Sequence, residues 1–188
     1  TRSSQEQAPI DLVTGELDGE KIIVYTRFAS LVPRLQALLQ REGVKSVAVT
    51  GAVSDKKRKA AQDAFQDLES DTTVIFITAA GSEAINLQVA KAMIFFDMPW
   101  SWGEYLQAIG RMIRIGSPNA GVLAFHLLAR RPNREDAKTI DHHVLKMLRS
   151  KKAIIDKVLG EGAVGALKFD KSGSAVKDLI RSLQKKTP

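Results

Sequence analysis

The chain has 188 residues, of which 44% are hydrophobic, and it combines a formal net charge of +7 with no cysteine at all. This size and composition fit one α/β domain with a substantial core and a small appendage. They exclude a disulfide framework and a thiolate metal site, and the three histidines form no spaced ligand set, so no metal site is expected.

The first half of the chain alternates between predicted helices and strands. A short helix is predicted at 9–17, with Pro9 in its first turn. The apolar, β-branched run at 21–25 predicts a buried strand. Next come a helix at 28–42 that Gly43 ends, a strand at 44–49 and a helix from Ser54 or Asp55 to about residue 68.

The second half continues the same alternation. Strands are predicted at 74–78, 92–96 and 121–129, and a helix at about 135–159. A Ser-x-x-Glu capping box at Ser101 and Glu104 predicts the start of another helix, which runs from about 102 to 115. Strands that alternate with helices predict a parallel sheet flanked by helices, whose ligands lie at the carboxyl ends of the strands.

The positive charge is concentrated at the end of the chain. Residues 146–188 contain 11 Lys or Arg and 4 Asp or Glu, a balance of +7, whereas the first 145 residues hold 17 of each sign. A basic segment of this kind favours contact with a polyanion such as nucleic acid. Solvated lysines on a helical tail explain the same composition equally well.

The helix predicted at 102–115 contains an unusual set of polar residues. Gln107, Arg111 and Arg114 follow one another at i, i+4 and i+7, so they are expected on one face. Gly110 costs about 1 kcal/mol relative to alanine inside a helix, and its missing side chain lets a ligand approach. Two guanidinium groups on one face suit the oxygens of a phosphate.

No stretch of the chain provides the remainder of a nucleotide site. The phosphate-binding sequence G-x-x-x-x-G-K-[ST] is missing, and so is an acidic pair after a strand that would hold magnesium. Arginines of this kind often act on a nucleotide bound by another domain. The sequence therefore predicts half of a site for ATP and Mg²⁺, with the other half on a separate lobe.

Four stretches, in order, resemble the second RecA-like lobe of superfamily-two helicases and translocases, most closely the Swi/Snf-type branch. They are K-I-I-V-Y-T-R-F at 21–28, V-I-F-I-T-A-A-G-S-E-A-I-N-L-Q at 74–88, F-F-D-M-P-W-S-W at 95–102 and Q-A-I-G-R-M-I-R-I-G-S at 107–117. They are similar to motif IV, motif V, the turn after it and motif VI. The S-E-x-x-N-L-Q form resembles bacterial or phage members.

The resemblance implies a role for each matching position. Arg111 and Arg114 would be arginine fingers that reach the γ-phosphate of ATP, and Gln107 would order that phosphate or the attacking water. Contact with the nucleotide is implied for Gly81, Asn86 and Gly110. Contact with the phosphate backbone of a nucleic acid is implied for Thr26, Arg27, Gly51, Thr78 and Ala79, groups that hold phosphates without reading sequence.

Some positions depart from the pattern of the family. Ala79 stands where the eukaryotic branch often has arginine, so a side-chain contact with DNA at this position is in doubt. Trp102 stands where proline is frequent. Its indole either stacks on a base or packs against the turn before it, and packing is the more common use of such a residue.

The resemblance also implies the organisation of the chain. We expect an N-terminal helix or linker at 1–20, the RecA-like lobe at 21–130, a helical extension that packs on the lobe at 131–160 and a basic tail at 161–188. The partner would be the N-terminal RecA-like lobe of the same protein. The location would be cytoplasmic, at the nucleoid, or intracellular in a phage-infected cell, with no membrane partner.

Three functions remain open from the sequence. The first is the C-terminal motor lobe of an ATP-dependent translocase on double-stranded DNA, inactive by itself. The second is a lobe of a strand-separating DNA or RNA helicase. The third is a non-catalytic nucleic-acid-binding module, in which the basic tail provides the affinity.

Overall fold

The structure, a computed structural model, describes residues 3–81, 85–113, 119, 121–129 and 139–159. Its strands are β1 (Ile22–Tyr25), β2 (Lys45–Val49), β3 (Thr72–Ile77), β4 (Ala92–Phe95) and β5 (Leu123–His126). Its helices are α1 (Ser4–Thr14), α2 (Val32–Arg41), α3 (Asp55–Gln66), α4 (Trp102–Ile109) and α5 (Ile140–Leu159), and one 3₁₀ turn (Ala29–Leu31) precedes α2.

Within the described residues, the five strands form one sheet in the order β2-β3-β1-β4-β5. Every pairing is parallel, so all five carboxyl ends lie at the same edge. All the residues of β1 and β4 are buried, which explains why these strands are continuous apolar runs. The predicted α/β class and parallel sheet are confirmed.

The strand order also indicates where the helices lie. The connection from β1 to β2 moves across the sheet in one direction, and the later connections move in the other. Since such crossovers are right-handed, α2 lies on one face of the sheet and α3 and α4 on the opposite face. The two faces are thus covered by the apolar sides of amphipathic helices, as the spacing of Leu35, Leu38 and Leu39 in α2 predicts.

The first helix begins earlier than the sequence pattern predicts. Ser3 caps α1, its hydroxyl accepts from the amide of Glu6, and the Glu6 carboxylate accepts from the amide of Ser3. Pro9 is therefore a buried interior residue of α1, and the prediction that it lies in the first turn was wrong. A proline forfeits one helix hydrogen bond there, and burial of Ile10 and Val13 offsets that loss.

The helix that follows β4 is shorter than predicted. α4 ends at Ile109, and Gly110 is its C-terminal cap instead of an interior residue. The amides of Arg111 and Met112 bond to carbonyls three residues earlier, at 3.2 and 3.0 Å, so the backbone tightens into a turn. The prediction that this helix runs to about 115 was therefore wrong beyond Ile109, and Arg114 lies outside the described residues.

The chain divides into two compact units, Thr1–Val144 and Leu145–Pro188. The helix predicted at 135–159 is described from Ile140 onward. The segments 131–138 and 161–188 lie outside the described residues, so the expected extension and basic tail stay predictions. No helix in the described part of the chain is long and apolar enough to cross a membrane.

Candidate functional site

Three loops that the sequence analysis singled out lie side by side at the carboxyl edge of the sheet. They follow β2, β3 and β1, which are adjacent strands. All the residues proposed to contact nucleic acid lie in these loops: Gly51 after β2, Thr78 and Ala79 after β3, and Thr26 and Arg27 after β1. The sheet order therefore brings together positions that are up to 53 residues apart in sequence.

Two of these residues have buried side chains with structural partners. Thr26 is 0% exposed, and its hydroxyl donates to Oδ2 of Asp97 at 2.6 Å. Thr78 is 4% exposed, and its hydroxyl accepts from the amide of Gly81 at 3.2 Å. The Thr26 hydroxyl thus ties its loop to the neighbouring one, and the Thr78 hydroxyl stabilises its own loop. Gly51 and Ala79 are exposed, and Arg27 is half-buried.

Asp97 organises the loop after β1, although the sequence analysis gave it no role. Besides the Thr26 hydroxyl, its carboxylate accepts the amide of Arg27 at 3.0 and 3.1 Å. Burial raises the pKa of Asp97, while the bonds from Thr26 and Arg27 oppose that rise. A carboxylate therefore already occupies the hydroxyl and the amide that a phosphate was expected to use.

The side chain of Arg27 points to the surface between two aromatic residues. Its guanidinium carbon lies 4.4 Å from the ring centre of Trp100 and 5.5 Å from that of Phe28. Trp100 is 58% exposed and Phe28 51% exposed, unusual values for large apolar side chains. This Arg27–Trp100 pair is a cation–π contact that keeps a positive charge at the edge of the sheet.

Trp102 behaves differently from Trp100. It is 5% exposed, and its ring stacks on Tyr105 with the centres 5.2 Å apart. Of the two uses that the sequence left open for this indole, the structure therefore favours packing. The exposed indole is the neighbouring Trp100, which the sequence analysis did not single out.

Gly81 is required by the packing of its loop. A Cβ at this position would lie 2.1 Å from the carbonyl oxygen of Val49 and 2.7 Å from Cα of Thr50. These atoms belong to the backbone at the end of β2, so they cannot move aside cheaply. Gly81 thus has a structural reason to be glycine, and its contact with a nucleotide stays a prediction.

Two of the segments expected at the nucleotide, the one that contains Asn86 and the turn after α4, are joined by a hydrogen bond. The amide of Leu87 donates to the carbonyl of Arg111 at 3.1 Å, so the turn after α4 is fixed beside the segment that contains Asn86. Gln107 is exposed and Arg111 is half-buried. Oδ1 of Asn86 is buried, and no donor among the described residues reaches it.

The predicted capping box at the start of α4 forms only in part. The hydroxyl of Ser101 accepts from the amide of Glu104 at 3.1 Å, as predicted. The Glu104 carboxylate does not return to Ser101: it accepts the amide of Trp100 at 3.2 Å and the hydroxyl of Tyr25. Glu104 therefore joins the last residue of β1 to the first turn of α4.

Comparison with known proteins identifies the family of this fold and these motifs. Residues 5–116 match the model of the helicase conserved C-terminal domain. The chain belongs to that family. The match begins within α1 and includes β1 to β4 and α4, and it ends before β5. The resemblance of motifs IV, V and VI to the second lobe of superfamily-two helicases is thereby confirmed.

Relatives of this helicase lobe include an ATP-dependent helicase and an RNA polymerase-associated protein. The uncharacterized ATP-dependent helicase YqhH of Bacillus subtilis is 32% identical over 86% of the chain, which spans 27% of YqhH. The RNA polymerase-associated protein RapA of Vibrio parahaemolyticus is 31% identical over 87% of the chain, which spans 15% of RapA. The chain thus matches about a quarter or less of these relatives.

The fold has a solved counterpart. The C-terminal part of the Fun30 ATPase domain superposes with a TM-score of 0.63 at 18% identity. The superposition includes 97% of this chain and 53% of the Fun30 chain. This similarity confirms the RecA-like fold that the motifs predict.

Proposed function

We propose that this chain is the second motor lobe of an ATP-driven translocase on double-stranded DNA. Its task would be to act on ATP held by an N-terminal lobe and to hold the DNA backbone at the carboxyl edge of its sheet. Family membership and ATP-dependent relatives support the ATP-driven part. The Arg27–Trp100 pair and the loops beside it support the nucleic-acid part.

The observation on which this proposal rests is that the turn after α4, which contains Arg111, is attached to the motif V segment. The bond from Leu87 to the carbonyl of Arg111 fixes that turn against the motif V segment. Gln107, one turn earlier on α4, is exposed. Helix α4 on one side and the bond to Leu87 on the other thus hold the backbone that carries Gln107 and Arg111, as stabilisation of developing charge requires.

The described residues fit one end of an ATP molecule. The guanidinium of Arg111 suits phosphate oxygens, and the buried Oδ1 of Asn86 could accept a hydroxyl of the nucleotide. The chain lacks the phosphate-binding sequence, and no group of three or more His, Asp or Glu in the described part of the chain could hold a metal ion. We therefore assign Mg²⁺ and most contacts with ATP to the N-terminal lobe.

Within such a two-lobe site, the roles of this chain follow from charge. ATP supplies the γ-phosphoryl group, which is transferred to water. Arg111 and Arg114 would stabilise the negative charge on its oxygens, and Gln107 would orient the attacking water. Because these groups come from a second lobe, they reach the nucleotide only when the lobes close, and this chain alone is expected to have no ATPase activity.

Contact with DNA would depend on the Arg27 side chain and the exposed backbone of the neighbouring loops. The amide of Arg27 and the hydroxyl of Thr26 are engaged by Asp97, so the guanidinium is the group that remains for a phosphate. Gly51 and Ala79 are exposed on the adjacent loops, where backbone amides can face the same strand of the DNA. Such contacts position a duplex without reading its sequence.

The test is ATP turnover of the protein that joins this lobe to its N-terminal lobe. Arg111→Ala should lower turnover by about 10³-fold, as loss of an arginine finger does, while nucleotide binding largely remains. Arg114→Ala should behave in the same way. Arg41→Ala, at the exposed end of α2, is the matched control and should retain turnover. Near-normal turnover of Arg111→Ala would contradict the proposed function.

One observation favours a second candidate, a strand-separating helicase. The exposed indole of Trp100 offers a surface on which an unpaired base could stack. Turnover should then be stimulated more by single-stranded DNA or RNA than by a duplex, and Trp100→Ala should abolish that preference. Stronger stimulation by duplex DNA, with Arg27→Ala raising the DNA concentration needed, would favour the translocase.

A further inference from the structure

Glu104 contacts two parts of the lobe, the end of β1 and the loop before α4. Oε1 accepts the hydroxyl of Tyr25, the last residue of β1, and Oε2 accepts the amide of Trp100 at 3.2 Å. Tyr25 is 0% exposed, so this contact is shielded from water and is stronger than a surface bond. One carboxylate thus fixes a strand end and a loop together.

Both contacts of Glu104 lead to the Arg27–Trp100 pair. Trp100 is bound directly through its amide, and Tyr25 lies two residues before Arg27 in the same segment. The amide of Arg27 is bound in turn by Asp97. The backbones of both members of the pair are therefore held by carboxylates, Asp97 from the loop before α4 and Glu104 from its first turn.

Glu104 also belongs to the helix that leads to the nucleotide residues. It is the third residue of α4, one turn before Gln107 on the same face, and Arg111 follows in the turn after the helix. α4 has eight residues, which is about 12 Å, and a helix of that length moves as one rod. The turn that follows its other end is attached to Leu87 through the carbonyl of Arg111. A shift at Trp100 would therefore reach the Arg111 turn.

We infer that Glu104 is a positioning residue that couples the nucleic-acid face of this lobe to its ATP face through Tyr25, Trp100 and α4. This inference rests on the proposed function. A phosphate that binds Arg27 displaces or tilts the Trp100 ring, the Trp100 amide transmits this to Glu104, and α4 carries it to Gln107 and Arg111. Nucleic acid thereby promotes the arrangement of the groups that stabilise the transferred phosphoryl.

A purely structural role for Glu104 has a different signature. If Glu104 only stabilised the start of α4, its loss would lower turnover by the same factor with and without nucleic acid. A coupling role changes the ratio of stimulated to unstimulated turnover, because the link between the faces is broken while both faces remain. This ratio therefore separates the two roles.

The experiment uses Tyr25→Phe and Glu104→Gln in the two-lobe protein, with duplex DNA as the probe. Tyr25→Phe removes one hydroxyl and leaves the ring in its place 5.4 Å from Phe95, so the core is preserved. The ratio of DNA-stimulated to unstimulated kcat should fall about tenfold in each variant. Tyr25 anchors the same carboxylate that receives the Trp100 amide, and the coupling requires that anchored carboxylate, so the double variant should fall no further than Glu104→Gln alone. Glu69→Gln, an exposed glutamate, is the control.

Each outcome decides for or against the coupling. An unchanged ratio in Tyr25→Phe, or strictly additive losses in the double variant, overturns the inference. If Glu104→Gln fails to fold, Tyr25→Phe alone decides. Arg111→Ala distinguishes failure of the proposed function from failure of the coupling. Normal turnover in Arg111→Ala refutes the proposed function. An inactive Arg111→Ala together with an unchanged ratio of stimulated to unstimulated kcat in Tyr25→Phe refutes only the coupling.

Discussion

Replacement of Gly81 by alanine tests whether the loop after β3 is shaped by packing. The added Cβ would lie 2.1 Å from the carbonyl oxygen of Val49. Ordinary van der Waals contact would need a separation greater by more than about 1 Å. Thr50 Cα, at 2.7 Å, blocks movement to the other side. The loop and the end of β2 must therefore separate, and the hydrogen bond from Gly81 to the Thr78 hydroxyl is lost with them.

The expected cost follows from the nature of the obstructing atoms. Overpacking lowers the free energy of unfolding by about 1–3 kcal/mol. Because the obstructing atoms are backbone atoms, which cannot move aside by a change of rotamer, we expect Gly81→Ala to cost about 3 kcal/mol. For a chain of this length the melting temperature should fall by about 6–12 °C. Thermal unfolding followed by circular dichroism measures this shift on the chain itself.

Gly121→Ala is the matched control for Gly81→Ala. Nothing lies within 4 Å of a Cβ built at Gly121, and its change in stability should stay within about 0.5 kcal/mol. Equal melting temperatures for the two variants would refute the packing argument. Loss of nucleotide binding at unchanged stability would instead assign Gly81 to the ligand.

Three further predictions concern residues whose burial or charge the structure defines. Trp102→Ala should lower the free energy of unfolding by about 3–5 kcal/mol, whereas Trp100→Ala should change it by less than about 0.5 kcal/mol and weaken DNA binding, as urea unfolding and the anisotropy of a labelled duplex would show. Lys21→Met should cost about 1–3 kcal/mol in the same unfolding assay, because the ammonium group donates to the carbonyls at 67, 70 and 72. The hydrogen bond from the Ser3 amide and the charge of Arg34 lower the pKa of Glu6 below its ordinary 4.5, although burial opposes them. The Glu6 carboxylate therefore binds a proton more tightly in the unfolded chain than in the folded one. The stability from Glu6 is therefore present above about pH 5 and lost as the pH falls through the lowered pKa, and the difference between wild type and Glu6→Gln should shrink on acidification; a constant difference would contradict this assignment.

The sheet and most of its helices could be predicted because their signals are local. Buried parallel strands are short β-branched runs, and a glycine such as Gly43, with φ of 79°, marks a helix end directly. The end of α4 was missed for the opposite reason. Gly110 is compatible with both a helix and a cap, and the carbonyl of Arg111 is drawn to Leu87, a partner that no pattern within the helix reveals.

The contacts of Asp97 and Glu104 at the site could not be predicted from the sequence, because their partners are distant in sequence. Asp97 binds Thr26 from 71 residues away, and Glu104 binds Tyr25 from 79 residues away. The sequence showed Glu104 only as part of a capping box, and local capping chemistry gave no reason to expect a second partner. Such contacts depend on the strand order, which places β1 beside β4.

The attachment of α1 has a mechanical consequence. The side-chain amide of Gln5 donates to the carbonyl of Phe96 at 3.3 Å, and Glu6 forms an ion pair with Arg34 on α2. Phe96 immediately precedes Asp97, whose carboxylate binds the loop that presents Arg27. Tension applied at Ser3 is thus transmitted through α1 to the residue beside Asp97, so a pull along the chain and a load on the loop that presents Arg27 act on the same short segment.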